Sequence, residues 1–592
     1  MELTYAIVII YLAIIAWLGW RGHQGTRNAL DYMVAGRQVH PYVMALSYGA
    51  TFISTSAIVG FGGAAGVFGM GLLWLTFLNI FAGIFLAFVI FGGRTRRMGH
   101  HLDAHTFPEL MGLRYKSRFI QSFSGLVIFL FMPLYTAAVL IGAAEFIATR
   151  FDISYQVALF GFSALVAVYV IMGGLKGVMY TDAFQGSIMF LGMIFLIIFT
   201  YSKLGGVAEA HQSLTDMASL GKKFFGGKGH QGWTAFPHFG SEYWWVLVST
   251  IIMGVGIGVL AMPQLAVRFM TVKSKRELNR AVLVGGIFIL LMTGVAFVVG
   301  SLSNVYFYDN PDNLDFSVVT TTTVGEDGQP VSKSGPPILS NLAPAPDPAK
   351  GISVEPSEKG SISLFAAGLD VGKIIPNYVM HAMPSWFGVL FLLTLLAAAM
   401  STISSQFHAM GTSIGRDFYE KGLRGGRHTP SSIGITRIGI LAGILFSVFL
   451  GYWLKQAYGG TGTAIIARGT AIFFGLCAAS FLPMFFGGLF TRRITRAGAI
   501  AGLLVGFFSS AFWLLFMHVK ESSALLLCNS IFGKPSLVAG AKTGFIIWDQ
   551  VDAIIVALPA AIIATVVVSA LTRPPSSEHL DHCFQGRPPA GS

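Results

Sequence analysis

Apolar residues occur in runs long enough to cross a lipid bilayer, and the runs recur along the whole 592-residue chain. A helix advances about 1.5 Å per residue, so roughly 20 apolar residues cross the hydrocarbon core. Thirteen runs reach that length, over about 3–20, 42–67, 71–93, 119–148, 154–173, 178–202, 243–268, 281–304, 376–414, 432–454, 463–490, 498–518 and 549–571. They are continuous, not alternating, which excludes a transmembrane barrel. Only 11% of residues are charged, against about 25% in soluble proteins. The expected class is an all-α polytopic membrane protein, one transmembrane domain over 1–592 with the lipid bilayer as its surroundings. The first run has no basic residues before it and no small-residue cleavage site after it, and reads as a retained span.

The loops give the orientation. Arg21, Arg27 and Arg37 follow span 1; Arg94, Arg96, Arg97, Arg114, Lys116 and Arg118 follow span 3. Arg268, Lys273, Lys275, Arg276 and Arg280 follow span 7; Arg416, Lys421, Arg424 and Arg427 follow span 9; Arg492, Arg493 and Arg496 follow span 11. Every second loop is basic, which places those loops in the cytoplasm, the N-terminus outside and the C-terminus inside. The net charge of +12 therefore marks membrane topology and not a nucleic-acid partner. The longest non-basic loop, 305–375, carries Asp309, Asp312, Asp315, Glu326 and Asp327 and is expected outside, partly disordered near 320–360. The tail, 572–592, is short, polar and cytoplasmic. Cys477, Cys528 and Cys583 are far apart and suggest no disulfide framework.

Two spans are interrupted. Span 2 runs Ser47-Tyr48-Gly49-Ala50-Thr51-Phe52-Ile53-Ser54-Thr55-Ser56 and then Gly60 to Gly66; span 7 carries Gly254, Gly256 and Gly258 and then Pro263-Gln264. Glycine and proline cost a helix interior about 1 and 3 kcal/mol. In a membrane, a broken helix is tolerated where it is buried or lines a cavity. If spans 2–6 (42–202) and 7–11 (243–490) are two halves, each break falls in the first helix of its half. That pairing points to the midplane site of an inverted-repeat transporter.

Span 9 holds a stripe. Ala398, Ser401, Thr402 and Ser405 fall at i, i+3, i+4 and i+7, one face of a helix. Small residues and hydroxyls serve tight helix packing, but oxygens also bind hard cations. Unwinding near Ala50–Ser54 frees backbone carbonyls; with the Ser401 and Thr402 hydroxyls they make about five neutral oxygens, suited to a monovalent ion that must leave again.

Ala398-Ala399-Met400-Ser401-Thr402, with Arg416-Asp417-Phe418-Tyr419 after it, resembles the ninth-helix signature of the sodium/solute symporter family. Gly173-Gly174-Leu175-Lys176-Gly177-Val178-Met179-Tyr180-Thr181-Asp182-Ala183-Phe184-Gln185 resembles that family's sixth-span motif. The resemblance implies a LeuT-type 5+5 inverted repeat of 13 helices, with one helix before it and two after. It implies a sodium site on the carbonyls of Ala50, Ile53 and Ala398 and the hydroxyls of Ser401 and Thr402. It puts a second sodium, or an exit path, on Asp182, Ser404 and Ser405. Asp182 reads by itself either as a functional intramembrane charge or as a cap at a helix start.

The substrate cavity is expected between the two breaks, on Thr51, Phe52, Ser54, Thr55, Ser56, Tyr135, Gly256 and Gln264. A broken helix exposes N-terminal amides, which favour an anion. Met262 to Ser274 resembles the acetate, pantothenate and monocarboxylate branch of the family, and some proline-branch members carry Asp where this chain has Phe52. Arg268 could pair with a carboxylate, but at the cytoplasmic end it reads first as a topology anchor. His100, His101, Asp103 and His105, and His579, His582 and Cys583, lack the further ligands a metal site needs. The expectation is a symporter and not an enzyme: sodium co-transported with a small organic solute, by alternating access, through a monomer in a bacterial inner membrane. A sodium symporter for proline or a sugar is the near alternative; a uniporter or a membrane sensor is the distant one.

Overall fold

The computed structural model describes residues 2–310, 316–324, 329–340, 343–357, 371–425, 432–458 and 462–585; Asp312, Asp315, Glu326, Asp327 and Arg427 lie outside them. In chain order the helices that matter here begin with α1 (Glu2–Gln24), α2 (Pro41–Phe52), α3 (56–68), α4 (73–101), the short α5 (Phe107–Arg114) and α6 (Arg118–Phe151). Next come α7 (155–173), α8 (175–203), α9 (Glu242–Ala261), α10 (263–270) and α11 (Lys275–Asp309). The series closes with α12 (Ser385–Leu423), α13 (Ser432–Tyr458), α14 (Gly462–Phe490), α15 (Arg496–Met517), α16 (Ile554–Leu571) and α17 (Ser577–Gln585).

Among the described residues, 11 helical rods are long and apolar enough to cross a membrane. Two of them are folded double. Tyr155–Lys203 is 49 residues, which straight would measure about 74 Å against a hydrocarbon core of about 30 Å. It turns at Gly174, where φ is 55° and ψ is −161°. Ser56–His101 turns at Gly69, with φ 68° and ψ −156°. Only glycine fits either turn: a Cβ on Gly69 would sit 2.0 Å from the Trp233 carbonyl, and one on Gly174 2.7 Å from the Tyr32 ring.

Both interruptions expected in spans 2 and 7 are present. α2 ends at Ile53 (φ −90°, ψ 99°), and the chain resumes as α3. α9 ends at Met262 (φ −71°, ψ 120°), because Pro263 pushes the residue before it out of the helical region. Two boundaries change. Span 9 starts at Ser385, not at 376; Ile374–Ala382 is a separate short helix, cut off by Pro384. Span 13 starts at Ile554, not at 549. The described residues of the 305–375 loop include strands. Strands β1 (Phe316–Val324), β2 (Pro330–Leu339) and β3 (Ile352–Ser357) form an antiparallel sheet in the order β2-β1-β3. Ser317-Val318-Val319-Thr320-Thr321-Thr322-Thr323-Val324 is rich in β-branched residues, which outweighs the flanking Pro and Gly.

α12 and α14 are the most enclosed rods, with 78% and 83% of their apolar windows buried, against 22% for α1 and 28% for α15 and α16. The stripe of α12 thus lies at the centre and the terminal helices at the rim. The basic loops share one face of the molecule. There Arg96 donates to the Val272 carbonyl (3.0 Å), Arg37 to that of Ala104 (3.0 Å) and Arg114 to that of Thr491 (3.0 Å). The opposite face joins Met70 to Trp233 and Trp245 to Phe545.

Candidate functional site

The break in span 2 leaves carbonyls without helical partners. The Ile53 amide still closes on the Gly49 carbonyl at 2.9 Å. The next two acceptors, Ala50 and Thr51, take protons from α12 instead. Ser401 Oγ donates to the Ala50 carbonyl at 2.9 Å; Thr402 Oγ1 donates to that of Thr51 at 3.2 Å and lies 3.5 Å from that of Ala50. Ser401 Oγ is also 3.3 Å from the Ala398 carbonyl. Ala50, Thr51, Ala398, Ser401 and Thr402 are all buried. Five neutral oxygens therefore converge where the kink meets the stripe. Hydroxyl protons rotate, so the same groups can turn lone pairs to a cation instead of bonding to one another. Ile53 is itself the extended residue of the break, and Thr51 is the carbonyl that the sequence reading had not named.

A second cluster adjoins the first. Arg268 is not a topology anchor: it is fully buried and pairs with Asp182, also fully buried, at 2.9 Å between Nη2 and Oδ2. The same carboxylate oxygen accepts from Ser47 at 2.8 Å and from Thr51 Oγ1 at 3.2 Å; Ser404 reaches Oδ1 at 3.3 Å and Ser405 reaches Oδ2 at 3.4 Å. The guanidinium also donates to Ser47, to the Gln264 carbonyl, to Thr51 and to Ser405, all within 3.0 Å. The helix break explains the difference from expectation. α10 restarts after Met262, so Arg268 sits one turn past Pro263 and faces the core, while Lys273 and Lys275 mark the loop. A buried ion pair survives only when its remaining donors and acceptors are satisfied, and here four hydroxyls and a carbonyl do so. Thr51 belongs to both clusters: its carbonyl to the oxygens, its hydroxyl to the ion pair.

The expected substrate residues divide. Phe52 packs on Phe474 (ring centroids 6.3 Å apart); Tyr135 meets Phe474 edge-on at 5.4 Å and Phe473 at 6.1 Å. Ser54 bonds the Tyr135 hydroxyl, and Thr55 donates to the Val139 carbonyl at 3.4 Å. Ser56 Oγ is buried without a partner. Gly256 is not in this group: it packs on Leu78, and Gly258 is the glycine that meets Phe474. Gln264 lies on the other side of the ion pair. Its side-chain amide is buried with neither atom bonded, and it lines a cavity with Arg268, Ser405, His408 and Thr106.

The chain matches the model of the sodium:solute symporter family over residues 32–330 and 368–506. It belongs to that family. The matched stretches contain all five cluster oxygens, the ion pair and the aromatic box, and the ion this symporter carries with its solute is sodium. Among similar proteins is sodium/proline symporter 2 of Staphylococcus saprophyticus, 25% identical over 545 residues, covering 91% of this chain and 90% of that one. The sodium/proline symporter of Staphylococcus aureus is 26% identical over 591 residues, covering 97% and 94%. A solved sodium-coupled sialic acid symporter, substrate-bound and outward-open, superposes with a TM-score of 0.67 at 19% identity, covering 96% of this chain and 98% of that one; it shares the fold.

Two elements of this candidate site are not among the expected site residues. Phe473 and Phe474 are two of 50 phenylalanines, and nothing local marks them. Arg268 was legible in principle. A buried Asp needs a cation, and this arginine directly follows a break in a span.

Proposed function

We propose that the symporter holds sodium on the carbonyls of Ala50, Ile53 and Ala398 and the hydroxyls of Ser401 and Thr402, and imports a small monocarboxylate anion. The supporting observation is that the hydroxyls of Ser401 and Thr402 are seated on the carbonyls which the span 2 kink leaves open. The chain crosses the bilayer 13 times, the double rods counting twice, as a 5+5 inverted repeat with one helix before it and two after. It lies in a bacterial inner membrane with its N-terminus outside and its C-terminus in the cytoplasm, and works as a monomer. Sodium bridging the kink to α12 favours the outward-open form, and the solute then binds in the aromatic box by Phe52 and Tyr135. Sodium and solute raise each other's affinity by the same factor. Release toward the cytoplasm passes Asp182, Ser404 and Ser405, which lie beside Arg268 and the Gln264 cavity.

Two features favour an anion over a zwitterion. A zwitterion's ammonium group calls for a carboxylate, but Phe52 puts a ring in the box, and Asp182 is engaged by Arg268. The second reading is proline, which the Staphylococcus relatives are named for. Radiolabelled uptake into proteoliposomes tests both, with short monocarboxylates, pantothenate, proline and sugars in sodium and in potassium. Saturable uptake of a monocarboxylate in sodium alone is the expected result; sodium-driven proline uptake without it overturns the substrate assignment, and uptake indifferent to sodium overturns the mechanism.

A further inference from the structure

On the basic face, two groups of helix ends meet along a seam. The first group is tied together by main-chain contacts. Val39, just before α2, donates to the Thr271 carbonyl at 3.1 Å; Arg96 of α4 donates to the Val272 carbonyl; His100 of α4 bonds the Met270 carbonyl at 3.2 Å. The inner ends of α2, α4 and α10 thus form one unit. The second group is tied by side chains of α5, of Thr106 before it and of Gln121 on α6. Glu109 pairs with Arg416 at the inner end of α12 through two hydrogen bonds, at 3.0 and 2.9 Å. Thr106 and Gln121 both donate to Asp417 at 2.8 Å, and Arg114 donates to the Gly488 and Thr491 carbonyls at the end of α14. The cavity with the unpartnered Gln264 amide lies between the groups. Pro263, Gln264 and Arg268 line one side, and Thr106, Phe107 and Thr412 the other.

α17 lies across this seam. Toward the first group, His101 at the end of α4 bonds the Cys583 carbonyl at 3.2 Å. Toward the second, His579 Nε2 donates to the Arg114 carbonyl at 2.9 Å and lies 3.5 Å from Cys583 Sγ, and Arg492 pairs with Asp581 at 2.9 Å. Phe584 is gripped by both arginines, whose guanidinium carbons stand 5.4 Å (Arg114) and 5.5 Å (Arg492) from its ring centre. Leu580 and Cys583 are buried beneath the helix. A helix of nine residues with so few internal bonds is not stable alone in water, so it is ordered by what it docks on. Arg94 of α4 also crosses the seam: it stacks on Phe490 and donates to the Leu489 carbonyl at 3.4 Å.

We propose that α17 is a strap: docked, it holds the two groups together and keeps the Gln264 cavity closed to the cytoplasm, and undocked it lets the seam part. The contacts that carry it lie outside the sodium cluster, so it stands whichever residues hold sodium and whichever solute is carried.

The test is the rate at which a cysteine in the cavity reacts with a membrane-impermeant maleimide in inside-out vesicles. The reporter is Thr412→Cys in the full chain with Cys477→Ser, Cys528→Ser and Cys583→Ser. Arg492→Ala removes one charge pair and one face of the Phe584 contact, and is expected to raise the labelling rate about two- to five-fold, as for a partly exposed contact of this size. A stop after Arg573, removing the strap entirely, is expected to raise it further. Arg492→Asp combined with Asp581→Arg restores the pair and should lower the rate again. Unchanged labelling in both Arg492→Ala and the truncated chain overturns the proposal. If the truncated chain does not fold, a rate in Arg492→Ala equal to the parent's overturns it alone.

Discussion

At the residue scale, the two clusters make different demands. The oxygens proposed to hold sodium, on Ala50, Ile53, Ala398, Ser401 and Thr402, are neutral, so removing one should weaken ion binding without leaving a buried charge. Ser401→Ala or Thr402→Ala should lower apparent sodium affinity about tenfold or more, the worth of a hydroxyl bound to a charged partner, and leave the order of preferred solutes unchanged. Sodium titrations of uptake in each variant check this; the solute panel checks the second half. The Arg268–Asp182 pair is less forgiving. Arg268→Ala leaves a carboxylate in the core with no counter-charge, at a cost of about 3–5 kcal/mol. Arg268→Lys should recover only part of that, because a lysine cannot make the forked contacts to Ser47, Thr51, Ser405 and the carboxylate together. Arg268→Met with Asp182→Leu should recover most of the folding stability and none of the transport. Thermal unfolding of the detergent-purified variants gives the ranking. The stripe was legible because periodicity alone puts its members on one face. Arg268 was misread because a basic residue near a loop looks the same in sequence whether it faces headgroups or the core; only the restart of the helix after Pro263 decides it.

At the scale of elements, the sequence exposed what depends on glycine and proline and hid what depends on packing. Both broken spans were legible because Pro263 and the glycines of α3 are costly in any helix. The β1–β2–β3 sheet was not, because the Pro and Gly around it signal disorder and strand margins equally well. The Gly69 end of α3 shows how a glycine turn of this kind is held. Trp233 Nε1 donates to the Gly66 carbonyl at 2.7 Å, His230 Nε2 to that of Val67 at 3.1 Å, and the Met70 amide to that of Trp233 at 2.7 Å. The Gly232 amide donates to His230 Nδ1, so the imidazole is neutral, with its proton on Nε2. Burial holds its pKa down at about 4, from an ordinary value near 6.5. The unfolded chain then binds a proton that the folded one refuses. The stabilisation is complete above about pH 6.5 and is lost as the pH falls toward 4. A His230→Gln variant keeps a donor for the Val67 carbonyl but does not titrate. The unfolding temperature of the parent should therefore drop more between pH 7 and pH 5 than that of His230→Gln; equal drops would remove His230 from the account.

At the scale of the molecule, charge balance ties the proposed solute to the number of sodium ions carried with it. The Arg268–Asp182 pair is neutral as a unit, so its movement within the bilayer shifts no net charge. The charge moved per cycle is then that of the cargo. One sodium with a monocarboxylate anion sums to zero, and a membrane potential does no work on it. One sodium with zwitterionic proline sums to +1, for which 100 mV contributes about 2.3 kcal/mol, or roughly a 50-fold gain in accumulation. Proteoliposomes with a fixed sodium gradient and a potassium diffusion potential set by valinomycin separate the two. A monocarboxylate carried with one sodium should accumulate to the same level at 0 and at −100 mV, and not at all without the sodium gradient. Accumulation that rises with potential means a surplus positive charge. The sodium dependence then says where it comes from: accumulation in the second power of the sodium gradient calls for a second ion, which the resemblance puts beside Asp182, Ser404 and Ser405, while the first power with a potential effect identifies a neutral or zwitterionic solute and returns the assignment to proline or a sugar.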